Sequence, residues 1–270
     1  MRKIEVAVLH EAHSCPAGMM MFLAKLTQRG HNIKNMDDLM KLYNSSMNKH
    51  KTAVSVANLP HGTIKRFAPI TVAIVGASRR FLAQARTHQV GVNYVSASLQ
   101  YSDYSGEADF VVPYAITEAD SKQPEAFKNH FTKMYLESCM ESMDAYELIA
   151  RETDNDTAGY AAPQGLRNIL IIQANHDSWM HFIRLRGCNR NTNETQYVTL
   201  RIWEELLKTE DGEEMFHFAG PDCMYGMCRE GKMCCGKPLR GYVDEARTIR
   251  GASIPRLIID TQWPLLKEVR

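Results

Sequence analysis

No stretch of this chain approaches the ~18 consecutive apolar residues of a membrane-spanning helix, so no membrane partner is expected. Neither sign of charge dominates. Thirty-two Lys and Arg face 31 Asp and Glu, for a formal net charge of +1. No global field therefore draws a nucleic acid polymer or an acidic membrane surface, and any anion site must be local. A Gly-rich phosphate-cradling loop is missing. So are a Gly-x-Ser-x-Gly elbow and an ordered Ser-His-Asp set, which removes the usual signs of a serine nucleophile. The opening Met1-Arg-Lys-Ile-Glu-Val-Ala-Val lacks the apolar core of a signal peptide. With seven cysteines, an odd number, free thiols in a reducing cytoplasm are the expectation. There is no internal repeat and no low-complexity linker.

The composition, 44% hydrophobic and 23% charged, is that of an ordinary globular protein. Patterning predicts strands at Ile4–Leu9, Ala68–Ala77, Phe110–Ile116 and Asn168–Gln173. Helices are predicted at Gly18–Arg29, Met36–Met47, Arg79–His88, most of Thr117–Thr153, His176–Arg186 and Thr195–Lys208. Ser78 is a plausible N-cap, and Glu152–Thr157 marks a break. The segment Ser96–Asp109 reads as loop. The result is an α+β fold: one domain, 1–220, with a mixed or antiparallel sheet flanked by long helices. A Cys-containing, loop-rich extension follows at 221–270.

Polar residues cluster at one predicted helix-loop corner: Gln84-Ala-Arg-Thr-His-Gln89, then Ser98-Leu-Gln-Tyr101. The i, i+4 spacing places Gln84 and His88 on one helix face. This run resembles the signature of the flavin-dependent thymidylate synthases, Arg-His-Arg followed after seven residues by Ser-x-Arg-Tyr. Upstream, His61-Gly-Thr63 resembles the family's Gly-His-x-Ser/Thr turn. Downstream, Pro163, the strand to Ala174 and Asn175-His-Asp-Ser-Trp-Met-His-Phe-Ile-Arg-Leu-Arg186 resemble a further family block. The likeness spans roughly residues 55 to 208.

By that resemblance the chain is a methyltransferase, a flavoprotein that uses FAD. It would pass a one-carbon unit from methylenetetrahydrofolate to C5 of a uridine nucleotide, with NADPH as reductant and dUMP to dTMP as the leading reaction. A homotetramer with active sites between subunits is implied. His61, Thr63, His88, Gln89 and Asn175 fall at cofactor-binding positions. Gln84, Arg86, Ser98, Gln100, Tyr101 and Arg186 fall on the substrate side. Arg186 is expected to polarise the pyrimidine and Ser98 to position it, with no protein nucleophile required.

The departures form a set. Positions where the family carries arginine are here Thr87, Gln89, Gln100, Gly159 and Asp177. Planar arginines recognise phosphate dianions by bidentate, charge-assisted hydrogen bonds. Either other arginines substitute (Arg79, Arg80, Arg86 and Arg167 are near in sequence), or the acceptor or the C5 product differs. A non-catalytic nucleotide- or metal-binding relative is the reading from another class. Its feature would be Cys223, Cys228, Cys234 and Cys235, four thiols within thirteen residues. Zinc, a disulfide and plain thiols all remain open there.

Overall fold

The computed structural model describes residues 4–11, 16–47, 62–67, 69–106, 108–209, 211–216, 218–225 and 228–236, with the strand backbones at 243–249 and 252–257. The first elements are β1 (Glu5–Glu11), α1 (Pro16–Arg29), α2 (Met36–Met47) and α3 (Gly62–Lys65). Then come β2 (Pro69–Ser78), α4 (Arg79–Ala85), β3 (Val92–Ser96), α5 (Tyr114–Ser121) and α6 (His130–Glu152). The chain continues through α7 (Asn155–Ala158), β4 (Arg167–Asn175), α8 (His176–Arg186), α9 (Asn193–Leu207) and α10 (Gly212–Phe216). A separate antiparallel pair, β5 (Val243–Ile249) and β6 (Ala252–Leu257), follows.

The main sheet runs β1-β2-β4-β3 and is antiparallel throughout. The fold is thus α+β, as the patterning predicts. Alternation decides which face is covered. Ile70, Val72 and Ile74 of β2 and Leu170, Ile172 and Ala174 of β4 point into the core. There they meet Met20, Trp179, Phe182, Val198, Ile202 and Trp203 from the helices. A fully buried Leu side chain is worth roughly 1.5–3 kcal/mol, so this face dominates the stability. The opposite face leaves Val75, Val95 and Ile169 exposed. A second, smaller core joins Phe110, Cys139, Met143, Tyr146, Ala158 and Leu166.

Three sequence expectations need correction. Phe110–Ile116 is not a strand: Phe110 forms one bridge with Leu166, and α5 begins at Tyr114. Pro113 has no N–H for a ladder, and its fixed φ suits the position before a helix. Val92–Ser96, to which the patterning assigns no strand, is the edge strand β3, whose short Val-Asn-Tyr-Val-Ser alternation carries only three apolar residues. The helix from Arg79 ends at Ala85, with Thr87 and His88 in a tighter turn bonded to the carbonyls of Gln84 and Ala85. Ser78 does cap that helix, its hydroxyl accepting from the Phe81 amide. The break at Glu152 is also present, with Asp154 capping α7.

Candidate functional site

The end of α4 meets the end of α8, and a polar knot forms between them. The Arg186 guanidinium organises it. Its Nε donates to His88 Nε2 at 2.8 Å, one terminal nitrogen to Asn191 Oδ1 at 3.1 Å, and the other to the Gln84 carbonyl at 3.2 Å and Thr87 Oγ1 at 2.7 Å. Four of the five guanidinium N–H groups are thereby engaged, and one has no acceptor among the described residues.

Arginine only donates, so His88 Nε2 must accept, and the ring hydrogen sits on Nδ1. The ring packs edge-to-face on Phe182, centroids 4.9 Å apart, and against His181 at 5.7 Å. Burial, then the nearby Arg186 charge, then His181 pull the His88 pKa down to about 4. The imidazole is therefore neutral at physiological pH.

Gln84 is held from the other side. Its Oε1 accepts from the hydroxyls of Thr195 and, at 3.4 Å, Thr192. That leaves its amide nitrogen as a donor, with no protein acceptor among the described residues. The position of the turn is fixed by Tyr94, whose hydroxyl lies 2.7 Å from the carbonyls of both Ala85 and His88.

Beside the knot opens a cavity of about 590 Å³. Arg79, Arg86, Tyr94, Ser96, Ser98 and Gln100 line it, with Asp156 and Gln164. Arg86 donates to Ser96 Oγ at 2.6 Å, and the Gln100 amide donates to Ser98 Oγ at 3.1 Å. Two of the residues singled out in the sequence thus share a cavity with Arg86. Gln84, His88 and Arg186 are not in its lining, and Tyr94, which lines the cavity and binds the carbonyls of Ala85 and His88, connects it to the knot.

The remaining candidates lie elsewhere. Asn175 caps α8, its Oδ1 accepting from the Ser178 amide at 2.9 Å, and packs beneath Gly91. Gln89 and Tyr101 are exposed, Tyr101 at 83%. His61 falls outside the described residues, as does the side chain of Thr63. Asp177 faces Lys65, raising the Lys65 pKa against the larger lowering effect of burial. Cys223, Cys228, Cys234 and Cys235 are not disulfide-bonded. Among the described residues no group of three or more His, Cys, Asp or Glu is arranged to hold a metal.

Sequence reading missed Asn191, Thr192 and Thr195, which orient Arg186 and Gln84. Thr192-x-x-Thr195 is a helix-cap pattern, and the hydroxyl of Thr192 does accept from the Thr195 amide. It also missed Glu194, a partly buried carboxylate that accepts from the Ser78 amide at 2.7 Å and its hydroxyl at 2.5 Å. Burial pushes the Glu194 pKa up, with the Ser78 bonds opposing.

Known proteins are similar to this chain in sequence and fold. A family model described as "Thymidylate synthase complementing protein" matches residues 10–209. The chain is 28% identical over 187 residues to the flavin-dependent thymidylate synthase of Geobacter sulfurreducens, covering 67% of this chain and 74% of that one. It is 28% identical over 179 residues to the enzyme of the same name from Thermococcus onnurineus, covering 64% and 69%. Among solved structures, thymidylate synthase X from Helicobacter pylori with FAD and dUMP superposes with a TM-score of 0.56 at 14% identity, covering 80% of this chain and 99% of that one. A UMP/dUMP methylase from Streptomyces cacaoi bound with 5-Br dUMP gives 0.56 at 13% identity, covering 81% and 97%. At such identities the structures speak for the fold, and the family model and the sequence relatives for descent. The chain belongs to the thymidylate synthase complementing protein family, whose named relatives here are flavin-dependent thymidylate synthases, enzymes of the methyltransferase type.

Proposed function

We propose that this chain transfers a one-carbon unit from methylenetetrahydrofolate to C5 of a uridine nucleotide in a flavin-dependent reaction, with dUMP to dTMP as the leading case. The observation that carries this reading is the convergence of Gln84, His88 and Arg186 in one hydrogen-bonded knot beside a cavity containing Ser98 and Gln100. The names of its relatives support the flavin.

The donor chemistry of the knot fits such a group. His88 is held neutral and presents an Nδ1–H, with its ring supported by Phe182. We assign His88 to the flavin side with Asn175, Gln89, His61 and Thr63. When bound, reduced FAD supplies the redox equivalents and relays the one-carbon unit, with NADPH as the source of electrons. The chain's own residues position the acceptor. The Gln84 amide nitrogen donates to a uracil carbonyl. The remaining Arg186 N–H stabilises negative charge as it develops on the ring, which is worth most when the donor is preorganised. Ser98, already accepting from the Gln100 amide, orients the base.

We also propose a homotetramer in the cytoplasm, with the 1–220 unit forming sites between subunits. Two observations support this. Gln89 and Tyr101 are exposed although they fall at binding positions, and the open sheet face carries apolar Val75, Val95 and Ile169, a pattern that favours a partner surface.

The UMP/dUMP methylase among the structural neighbours makes UMP the second acceptor to consider, with methyl or hydroxymethyl as the C5 product. Tritium release from C5-labelled dUMP and UMP, with FAD, NADPH and methylenetetrahydrofolate present, decides the acceptor, and the mass of the nucleotide product separates methyl from hydroxymethyl. Release from dUMP supports the leading reading, release from UMP alone replaces the acceptor, and release from neither removes the proposed reaction.

A further inference from the structure

The cavity beside the knot is not short of cations, although the family motif's arginines are gone. Arg79 opens α4 and Arg86 stands at its end. Seven residues are two helical turns, so both project from one side of the helix. Both line the 590 Å³ cavity that also holds Ser96, Ser98 and Gln100. Ser96 fixes Arg86 from β3. Burial and the neighbouring Arg86 charge both disfavour the charged form of Arg79, with Tyr104 opposing between them in size. Among the described residues, neither arginine has a carboxylate salt-bridge partner.

The other nearby arginines are committed elsewhere. Arg167 is buried, ion-paired to Asp109 at 3.3 Å and donating to the carbonyls of Phe110 and Gly76. Arg80 lines a different cavity, of about 400 Å³, with Glu194. Position 159, one of the lost arginine sites, is tightly packed against Leu99. A Cβ on Gly159 would lie 3.2 Å from Leu99 Cβ, and Leu99 sits between Ser98 and Gln100. A side chain there presses on Leu99, which must give by a few tenths of an ångström.

Two guanidiniums without acidic partners, ringed by hydroxyl and amide donors, match a tetrahedral dianion. We propose that Arg79 and Arg86 together hold the phosphate monoester of the acceptor nucleotide, with Ser98 and Gln100 completing the shell; this rests on the reading of the chain as a uridine-nucleotide enzyme. The anion site has moved from the motif's arginines to a helix face that the motif does not use. Asp156, also in the lining, repels phosphate and accepts hydroxyl hydrogens, so it belongs to the sugar end.

The test is calorimetric titration of the full-length, FAD-supplemented protein with dUMP and with deoxyuridine. Arg79→Gln and Arg86→Gln are each expected to weaken dUMP binding about 10- to 100-fold, the worth of a charge-assisted hydrogen bond. The double variant should bind dUMP no better than deoxyuridine, and deoxyuridine binding should be the same in all forms. A double variant with an unchanged melting temperature and wild-type dUMP affinity overturns the proposal. If wild-type protein binds neither nucleotide, the uridine-nucleotide reading fails, and inorganic phosphate then tests the arginines alone. Phosphate binding that disappears in the double variant supports the site; equal binding, or none in the wild type, overturns it.

Discussion

Arg186→Ala removes the centre of the polar knot, and its consequences can be worked bond by bond. Four donor contacts disappear: to His88, Asn191, the Gln84 carbonyl and Thr87. Charge-assisted bonds are worth about 1.5–3 kcal/mol each. Arg186 is only partly buried, so water replaces most of what is lost, and a net destabilisation of about 2–3 kcal/mol is expected. His88 reports the change directly. Burial is the first cause of its low pKa, Arg186 the second and His181 the third. Removing the arginine deletes the second and, by admitting water, weakens the first, so the pKa should climb from about 4 toward 6.5.

The sign of the linkage follows. Folded His88 binds its proton less readily than unfolded His88, so the unfolded state takes up more protons between pH 6.5 and 4. The His88 contribution to stability is complete above about pH 6.5 and is lost as pH falls toward 4. The gap is worth about 3 kcal/mol before screening, and about 1–2 kcal/mol for a half-exposed ring. The variant should flatten that acid-side slope. Catalysis should fall about 10²–10³-fold, as for removal of one preorganised donor. Proton NMR titration of His88, denaturant melts from pH 4 to 7 and C5 tritium release check the three parts. A His88 pKa still near 4 in a folded variant with wild-type turnover would refute the reasoning.

Two further substitutions test the scaffold under the site. Ser78→Ala removes the cap of α4 and one of the two donors that Glu194 accepts from; a loss of about 1–3 kcal/mol is expected, measured by urea denaturation. Gly91→Ala must hold a side chain at φ +70°, with its Cβ 2.5 Å from Asn175 Nδ2 and 2.6 Å from Ser178 Oγ. About 1–3 kcal/mol of backbone strain and a shifted Asn175 should weaken FAD binding in a fluorescence titration, while Gly30→Ala, which meets open space, should leave it unchanged.

Much of the frame was legible because its signals are local. β2 and β4 are apolar and β-branched, α8 runs over the predicted residues, and Ser78 sits where a cap belongs. The errors came where a short pattern competes with context. Three apolar residues in β3 are too few to mark a strand until β4 pairs with it. The apolar Phe110–Val112 run looks like sheet until Pro113 stops it. In the site, the residue types at positions 84, 88, 98 and 186 were readable in order, but their connection was not. Arg186 reaches His88 across 98 positions of sequence, and Thr195 reaches Gln84 across 111. No spacing rule sees that. Nor does sequence separate Arg79 and Arg86 from Arg80 and Arg167; only the cavity walls do.

The central claim is tested most directly by following the carbon. The protein is incubated with uridine nucleotide and methylenetetrahydrofolate labelled with ¹³C in its one-carbon group, with and without FAD and NADPH, and the nucleotide is examined by carbon NMR. The account predicts label attached at C5 of the uracil ring only when the flavin and its reductant are present. Label at C5 without flavin, or no label in dUMP or UMP with every component present, would contradict it.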